Sequence, residues 1–334
     1  MTPENLLKMM DLIRGYEKSQ VVCALASLSI ADILAEGPAP LARLIEKTGA
    51  HPDALKRLIR GAASIGLVRV EEGDLLASTP ALDCLREDAP VSLRAMAIAW
   101  CSAGHWQPWG RFCEAVRTGE PQSVATLGRS SFEHFAANPE EAAAFSKAMQ
   151  ATTETVQAEV VRLVETDDAS TIADIGGANG ALACAFVAAK PRLKGIVFDL
   201  PHTFEQALAY IRMRGLADKV TPISGDFFDA VPAADLYLMK FILHDWDDDA
   251  CVRLLKNCRR AMNERGRIVV VELRLGAMGD TGPGPLTDLI MLVSSGGRER
   301  TADEYGALFS AAGLNLVSVK ETSTPFSIFE AVAA

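Results

Sequence analysis

Residues 240–249 read KFILHDWDDD, and one of the chain's five histidines sits where that apolar run meets four acids. Imidazole titrates near neutral pH, so His244 is a candidate proton acceptor. Its acidic neighbours have a plainer explanation: Asp247, Asp248 and Asp249 suit the positive end of a helix starting near 248. That explanation does not cover His244 itself. Glu272 closes a second apolar run in VVVEL. If the two runs are neighbouring strands, Glu272 and His244 meet at one edge. A carboxylate beside imidazole fixes its tautomer and supports the cation formed on proton uptake.

Three more apolar runs end in residues suited to a ligand. The first ends in ADIGGANG, with Asp174, Gly176, Gly177 and Gly180. Glycines let the backbone turn tightly and approach a ligand, although such a turn can also serve strand–helix packing alone. No Gly-Lys-Ser/Thr follows, so it is not a phosphate loop. Ala178 takes the place of the second glycine of GxGxxG, which disfavours a dinucleotide. The second run ends in FDLPH, where Asp199 stands about where an acid accepts hydrogen bonds from ribose hydroxyls. The third ends in SGDFFDAVP. There Gly225 lets the chain come close, Asp226 can accept from an adenine amino group, and Phe227 offers a ring face. Asp226 also reads as a simple turn former. With nothing basic along the glycine turn, the set suits a nucleoside without phosphate.

The elements that must position these residues follow from periodicity. From about residue 170 short apolar runs alternate with helical patterns. Strands are expected near 171–175, 195–199, 220–223, 235–240 and 267–272, with helices at 180–190, 203–215 and 248–263. This alternation predicts an α/β fold with a parallel sheet covered on both faces, whose ligands bind outside the carboxyl ends of the strands. A helix near 301–313 and two closing strands, in LNLVSVKET and FSIFEAVA, complete it. Before 170 the pattern is mainly helical. LARLIEKTG and HPDALKRLIRGAASIGL precede the hairpin-like VRVEEGDLLAS, the outline of a winged helix. Two domains are expected, 1–165 and 166–334.

The totals agree with this outline. A chain of 334 residues, 49% hydrophobic, is long enough for about two cores. Its net charge of −10 argues against a nucleic-acid partner. Seven cysteines without a CxxC read as reduced, buried thiols of a cytoplasmic protein. Cys251 and Cys258, seven apart, share a helix face and suit core packing. The first twenty residues carry charge too early for a secretory leader, and no apolar run approaches the ~20 residues of a membrane helix.

Taken together, DIGGANG, FDLPH, GDFF, LHDW and GGRERT, with ALASLSIADILAEG and FEHFAANPEEAAAFSKAMQ before them, carry a resemblance over nearly the whole chain. The chain resembles the class I S-adenosylmethionine-dependent O-methyltransferases of the plant caffeate and bacterial polyketide type. The resemblance implies a Rossmann-like cofactor domain, mostly parallel with an antiparallel last strand, and an N-terminal winged-helix domain that makes a homodimer and roofs the substrate pocket. It implies cofactor contacts at Gly176, Asp199, Gly225, Asp226, Phe227 and Lys240. It implies His244 as general base flanked by Glu272 and Glu299. Ala178 departs from the third glycine of many members and should fit if its φ is negative. The acidic hairpin, with Glu71, Glu72 and Asp74, agrees with a wing that does not read DNA.

The expected reaction is methyl transfer to a hydroxyl of a small aromatic metabolite, without a metal. Trp106, Phe145, Met149 and Met291 are candidates for gripping the flat ring, although each suits the core better. The alternatives are a C- or N-methyl acceptor, a relative repurposed for other chemistry, a DNA-binding regulator and an NAD oxidoreductase.

Overall fold

A computed structural model describes residues 2–334. Contacts divide the chain into two compact units: residues up to Trp106 together with Pro139–Ala151, and Gln107–Asn138 together with Thr152–Ala334. The division expected at 165/166 therefore falls elsewhere, since residues 107–138 and 152–165 group with the C-terminal unit. The reason lies in the helix Pro139–Leu163 and its cap: Val156, Val160 and Val164, four apart, join a core of the C-terminal sheet.

In the first unit the helices Ile30–Ala35, Leu41–Thr48 and Pro52–Ser64 lead into a hairpin of β1 (Val68–Glu71) and β2 (Leu75–Ser78), as the winged-helix outline predicts. Pro52 opens its helix at the position where a missing N–H costs nothing, and Gly49 closes the preceding one in the left-handed conformation. Leu25, Ile30, Leu44, Leu55, Ile59, Val68 and Leu76 make a single core. The first helix, Pro3–Ile13, buries none of its residues; Leu7, Leu12 and Ile13 are among its exposed apolar side chains.

The second unit is built on a seven-stranded sheet. Its strands are β3 (Thr171–Ile175), β4 (Lys194–Asp199), β5 (Val220–Ser224), β6 (Ala234–Lys240), β7 (Met262–Leu273), β8 (Leu314–Glu321) and β9 (Phe326–Ala333). Their order is β5-β4-β3-β6-β7-β9-β8. The first five of that order are parallel, and β9 runs antiparallel to both β7 and β8. Every expected strand is present.

Strand alternation divides the interior in two. Ile172, Leu236, Leu238, Val269 and Val271 face one core, covered by the helices Ala181–Ala189 and Phe204–Met213. Ala173, Ile175, Tyr237, Met239, Ile268 and Val270 face the other, covered by Asp248–Ala261 and Ala302–Ala311. Cys251 and Cys258 lie in that second core. The expectation of buried thiols holds for them and Cys184 but not for Cys84 and Cys113, which are exposed. Among the described residues no helix is long and apolar enough to cross a membrane.

The parallel neighbours β6 and β7 set the edge at which the acids and the histidine gather. They pair in register with Lys240 opposite Val271, so Glu272 and the residues just after Lys240 emerge together.

Candidate active site

Beyond Lys240 the chain cannot continue as strand. Phe241 takes φ 55°, a left-handed conformation costly for a bulky residue. That reversal leads into a short 3-10 turn, Leu243–Asp245. The backbone N–H groups of Ile242 and Leu243 both donate to Glu272 Oε1, at 3.0 and 2.9 Å. Glu272 thus anchors the turn that carries His244.

The direct partner of the ring is another acid. Glu299 Oε1 lies 2.7 Å from His244 Nδ1, while Glu272 Oε2 lies 3.9 Å away. All three residues are buried. Glu299 is itself oriented, its N–H donating to Asp288 Oδ1 at 2.8 Å. The loop before it packs so closely that a Cβ on Gly297 would lie 2.0 Å from the carbonyl oxygen of His244. One face of the imidazole is covered by Phe241, whose ring stacks parallel to it with centroids 4.5 Å apart. Asp245 Oδ1 stands 3.7 Å from Nε2.

Burial dominates the electrostatics of this cluster. It pushes Glu272 up to about 7, with His244 opposing and Glu299 adding to the rise. It pushes Glu299 up to about 8, with Asp288 adding and Arg300 opposing. It pushes Asp245 up to about 6, with His244 opposing. The protonation of Glu299 decides what the ring can do. A carboxylate there accepts Nδ1–H and leaves Nε2 with a free lone pair. A protonated Glu299 donates to Nδ1, and the neutral ring then carries its hydrogen on Nε2 and cannot act as a base there. The Oε2 atoms of Glu272 and Glu299 have no hydrogen-bond partner among the described residues. One ligating atom from each of His244, Glu272 and Glu299 lies within 4.8 Å of the others, so the cluster also bears on a metal.

Alongside, the carboxyl ends of β3, β4 and β5 hold the residues expected at a nucleoside. Gly176 and Gly180 in the turn after β3 have positive φ. So does Ala178, at 48°, so the condition of a negative value, under which an alanine fits easily, is not met. The reason is a hydrogen bond: in this conformation the Ala178 N–H donates to Asp199 Oδ2 at 2.8 Å. The Leu200 N–H donates to Asp199 Oδ1 at 2.6 Å. Burial raises the pKa of Asp199, and these two N–H groups oppose it.

Gly225 also meets a constraint within the protein. A Cβ there would lie 2.5 Å from Phe198 Cζ, so the ring at the end of the neighbouring strand leaves no room for a side chain. Asp226 does form a turn, Oδ1 accepting from the Phe228 N–H at 2.7 Å. Phe227 packs edge-on to Phe228 and to Trp246. Lys240 Nζ lies 4.4 Å from the centre of the Phe241 ring. Burial pushes its pKa down to about 8, against the opposing pull of Glu272 and Asp174. Met291 is buried in the helix Gly284–Ser294 of the same unit. Trp106, Phe145 and Met149 belong to the first unit; Phe145 and Met149, four apart, share a face of their helix.

Sequence reasoning missed two residues here. Phe241 left no signal, because its role depends on a backbone reversal. Trp246 stands within the LHDW motif but drew no role; its indole stacks on Phe132, with centroids 5.5 Å apart.

Comparison with known proteins places this geometry in context. A model of the O-methyltransferase domain matches residues 109–315, and one of the O-methyltransferase dimerisation domain matches residues 10–95. The phenazine O-methyltransferase of Lysobacter antibioticus is 37% identical over 324 residues, covering 97% of this chain and 95% of that protein. The crystal structure of human N-acetylserotonin methyltransferase in complex with S-adenosylmethionine superposes with a TM-score of 0.90 at 29% identity, covering 100% of this chain and 98% of that one. An O-methyltransferase from neocarzinostatin biosynthesis, solved with S-adenosylmethionine and 2-hydroxy-5-methyl naphthoic acid, gives 0.82 at 28% identity, covering 95% and 96%.

Two outcomes test the geometry itself. Asp174, Asp245, Glu272 and Glu299 all titrate higher when folded than when unfolded, so the native state holds more protons and stability falls as pH rises toward about 8. His105, pushed down to about 4, acts oppositely only below its usual range near 6.5, and Lys240 only above about 8. The Tm of the ligand-free protein should therefore drop between pH 6.5 and 8, and Glu299→Gln should flatten that drop; a rise in Tm over this window would contradict the assigned shifts. Ala178→Gly should stabilise by up to about 1 kcal/mol, the relief of left-handed strain less the added freedom of the unfolded glycine, read from the denaturant midpoint.

Proposed function

The chain belongs to the O-methyltransferase family, is an S-adenosylmethionine-dependent enzyme of that kind, and we propose that His244 is the base that receives the proton of its acceptor hydroxyl. The single observation that carries this reading is the 2.7 Å contact between Nδ1 and Glu299, which leaves Nε2 as the site for the incoming proton once Glu299 is ionised. A phenol has a pKa near 10 and imidazole one near 6.5, so prior removal of the proton is unfavourable by several powers of ten. His244 instead takes the proton as the hydroxyl oxygen gives up electron density to the methyl carbon it bonds, which makes its O–H more acidic. The imidazolium that results is held by Glu299, with Glu272 and Asp245 close behind. Help of this kind is typically worth about 10²–10⁴ in rate.

The cofactor site fits a nucleoside. Asp199 is proposed to hold the ribose hydroxyls, with Asp226 and Phe227 at the adenine and the turn at Gly176 against the rest of the molecule; Gly225 makes room by admitting Phe198. Lys240 is proposed as a further contact. Bound there, S-adenosylmethionine supplies a methyl group on a positively charged sulfur. The protein contributes placement, exclusion of water and the base.

The acceptor is proposed to be a small aromatic hydroxyl compound, in keeping with the phenazine and naphthoic acid named for the relatives. Met291 is proposed as a contact of that ring. For Trp106, Phe145 and Met149, in the other unit, the proposal rests on residue type alone. No metal is proposed: a 2.7 Å separation is a hydrogen bond, whereas two ligands each about 2.0 Å from one zinc stand more than 3 Å apart in a tetrahedral site. A homodimer is proposed, supported by the dimerisation-domain match and by the exposed apolar side of the first helix. The net charge of −10 and the acidic wing support the absence of a nucleic-acid partner, the free thiols support a cytoplasmic location, and neither a membrane nor any other large partner is proposed.

The deciding experiment is His244→Gln. Its affinity for S-adenosylhomocysteine, measured by calorimetry, should stay near wild type while turnover falls about 10²–10⁴-fold; wild-type turnover would sink the assignment. Asp199→Ala should give the converse defect, weakened affinity. In the wild type, turnover should rise with pH as Glu299 loses its proton near 8 and should survive a chelator; abolition by a chelator would contradict the metal-free reading.

A further inference from the structure

We propose that Arg300 is a positioning residue for the base, its guanidinium holding the turn that carries His244 in register with the loop that carries Glu299. The proposal rests on the reading of His244 as the base. Arg300 is completely buried. Each of its five N–H groups is used. Nη1 donates to the carbonyl oxygens of Leu243 and Arg298, at 2.9 and 3.2 Å. Nη2 donates to the carbonyl of Trp246 and to Asp248 Oδ1, both at 2.8 Å. Nε donates to the same Asp248 oxygen at 3.0 Å.

The two carbonyls of Leu243 and Trp246 bracket His244. Arg300's own backbone carries Glu299 one residue upstream, and its carbonyl is tied to the Leu275 N–H at 3.0 Å. One planar, rigid fork therefore joins the backbone on either side of the ring to the segment that supplies the ring's partner. A fully buried guanidinium is an expensive way to gain stability alone, since apolar replacements of buried ion pairs are often neutral or stabilising. Its use is geometric: it governs whether Glu299 reaches Nδ1 at 2.7 Å. Asp248, 57% exposed in its side chain, is the outer anchor of the fork.

Arg300→Lys keeps the charge and loses the fork. Its kcat should fall about tenfold or more, as misplacement of reacting groups does, with both KM values within about threefold of wild type. The decisive readout is a double-mutant cycle. In the His244→Gln background, followed in single turnovers at enzyme excess, Arg300→Lys should cost less than about twofold, because the group it positions is gone. An equal loss in both backgrounds would mark Arg300 as merely structural and overturn the proposal, as would an unchanged kcat in the single variant. If Arg300→Lys does not fold, Asp248→Ala decides by the same cycle, with a loss of about three- to tenfold expected only where His244 is present. Wild-type turnover in His244→Gln would instead indict the base assignment, a separate failure.

Discussion

The site depends on one contact, a carboxylate against an imidazole where almost no water reaches. Burial raises the pKa values of both Glu299 and Glu272, and a lone buried carboxylate would simply stay protonated. Proton transfer onto His244 offers these acids a counter-charge at the moment it forms. The arrangement is thus better matched to the imidazolium than to the resting ring. Stabilisation that appears only as charge develops lowers a barrier rather than merely tightening binding.

Holding such a cluster requires backbone in unfavourable conformations. Phe241 and Ala178 both take positive φ, and each does so at the carboxyl end of a central strand. Phe241 turns the chain so that its own ring covers the imidazole. Ala178 turns so that its N–H reaches Asp199. In both cases a hydrogen bond or a ring contact over-determines a conformation that the residue would not adopt in isolation. The parallel sheet makes this tolerable. Two fully covered faces supply enough buried apolar surface to carry local strain at one edge.

The two acids near His244 divide the labour. Glu272 looks from the sequence like the ring's partner, because strand neighbours bring it to the same edge. It does arrive there, but its Oε1 is occupied by the N–H groups of Ile242 and Leu243, and it fixes the turn rather than the tautomer. Glu299, which only resemblance picked out, makes the direct bond. Asp248 shows a similar shift. Of the three acids read as helix-start residues, Asp247 is indeed the cap, accepting from the Ala250 N–H, while Asp248 is the outer partner of a buried arginine.

Much was legible in the sequence for a physical reason. Alternating apolar runs state which residues must leave water, so Leu236, Tyr237, Leu238 and Met239 by themselves declare a strand buried on both faces. The glycine turn, Asp199 and His244 stand at the ends of such runs, so their location at the ligand edge followed with the strands. The division between the two units did not follow, because Val156, Val160 and Val164 suit any apolar surface equally well; which core they join is settled by packing. Nor did the signs of φ at Ala178 and Phe241, the closeness of Phe198 to Gly225, or the five bonds of Arg300. Those are facts about residues distant in sequence meeting in space. The chain by itself determined which residues sit at the edge of the sheet; only the tertiary structure decided which of them touch, because an angstrom of separation between Nδ1 and a carboxylate is decided by long-range packing that no local pattern encodes.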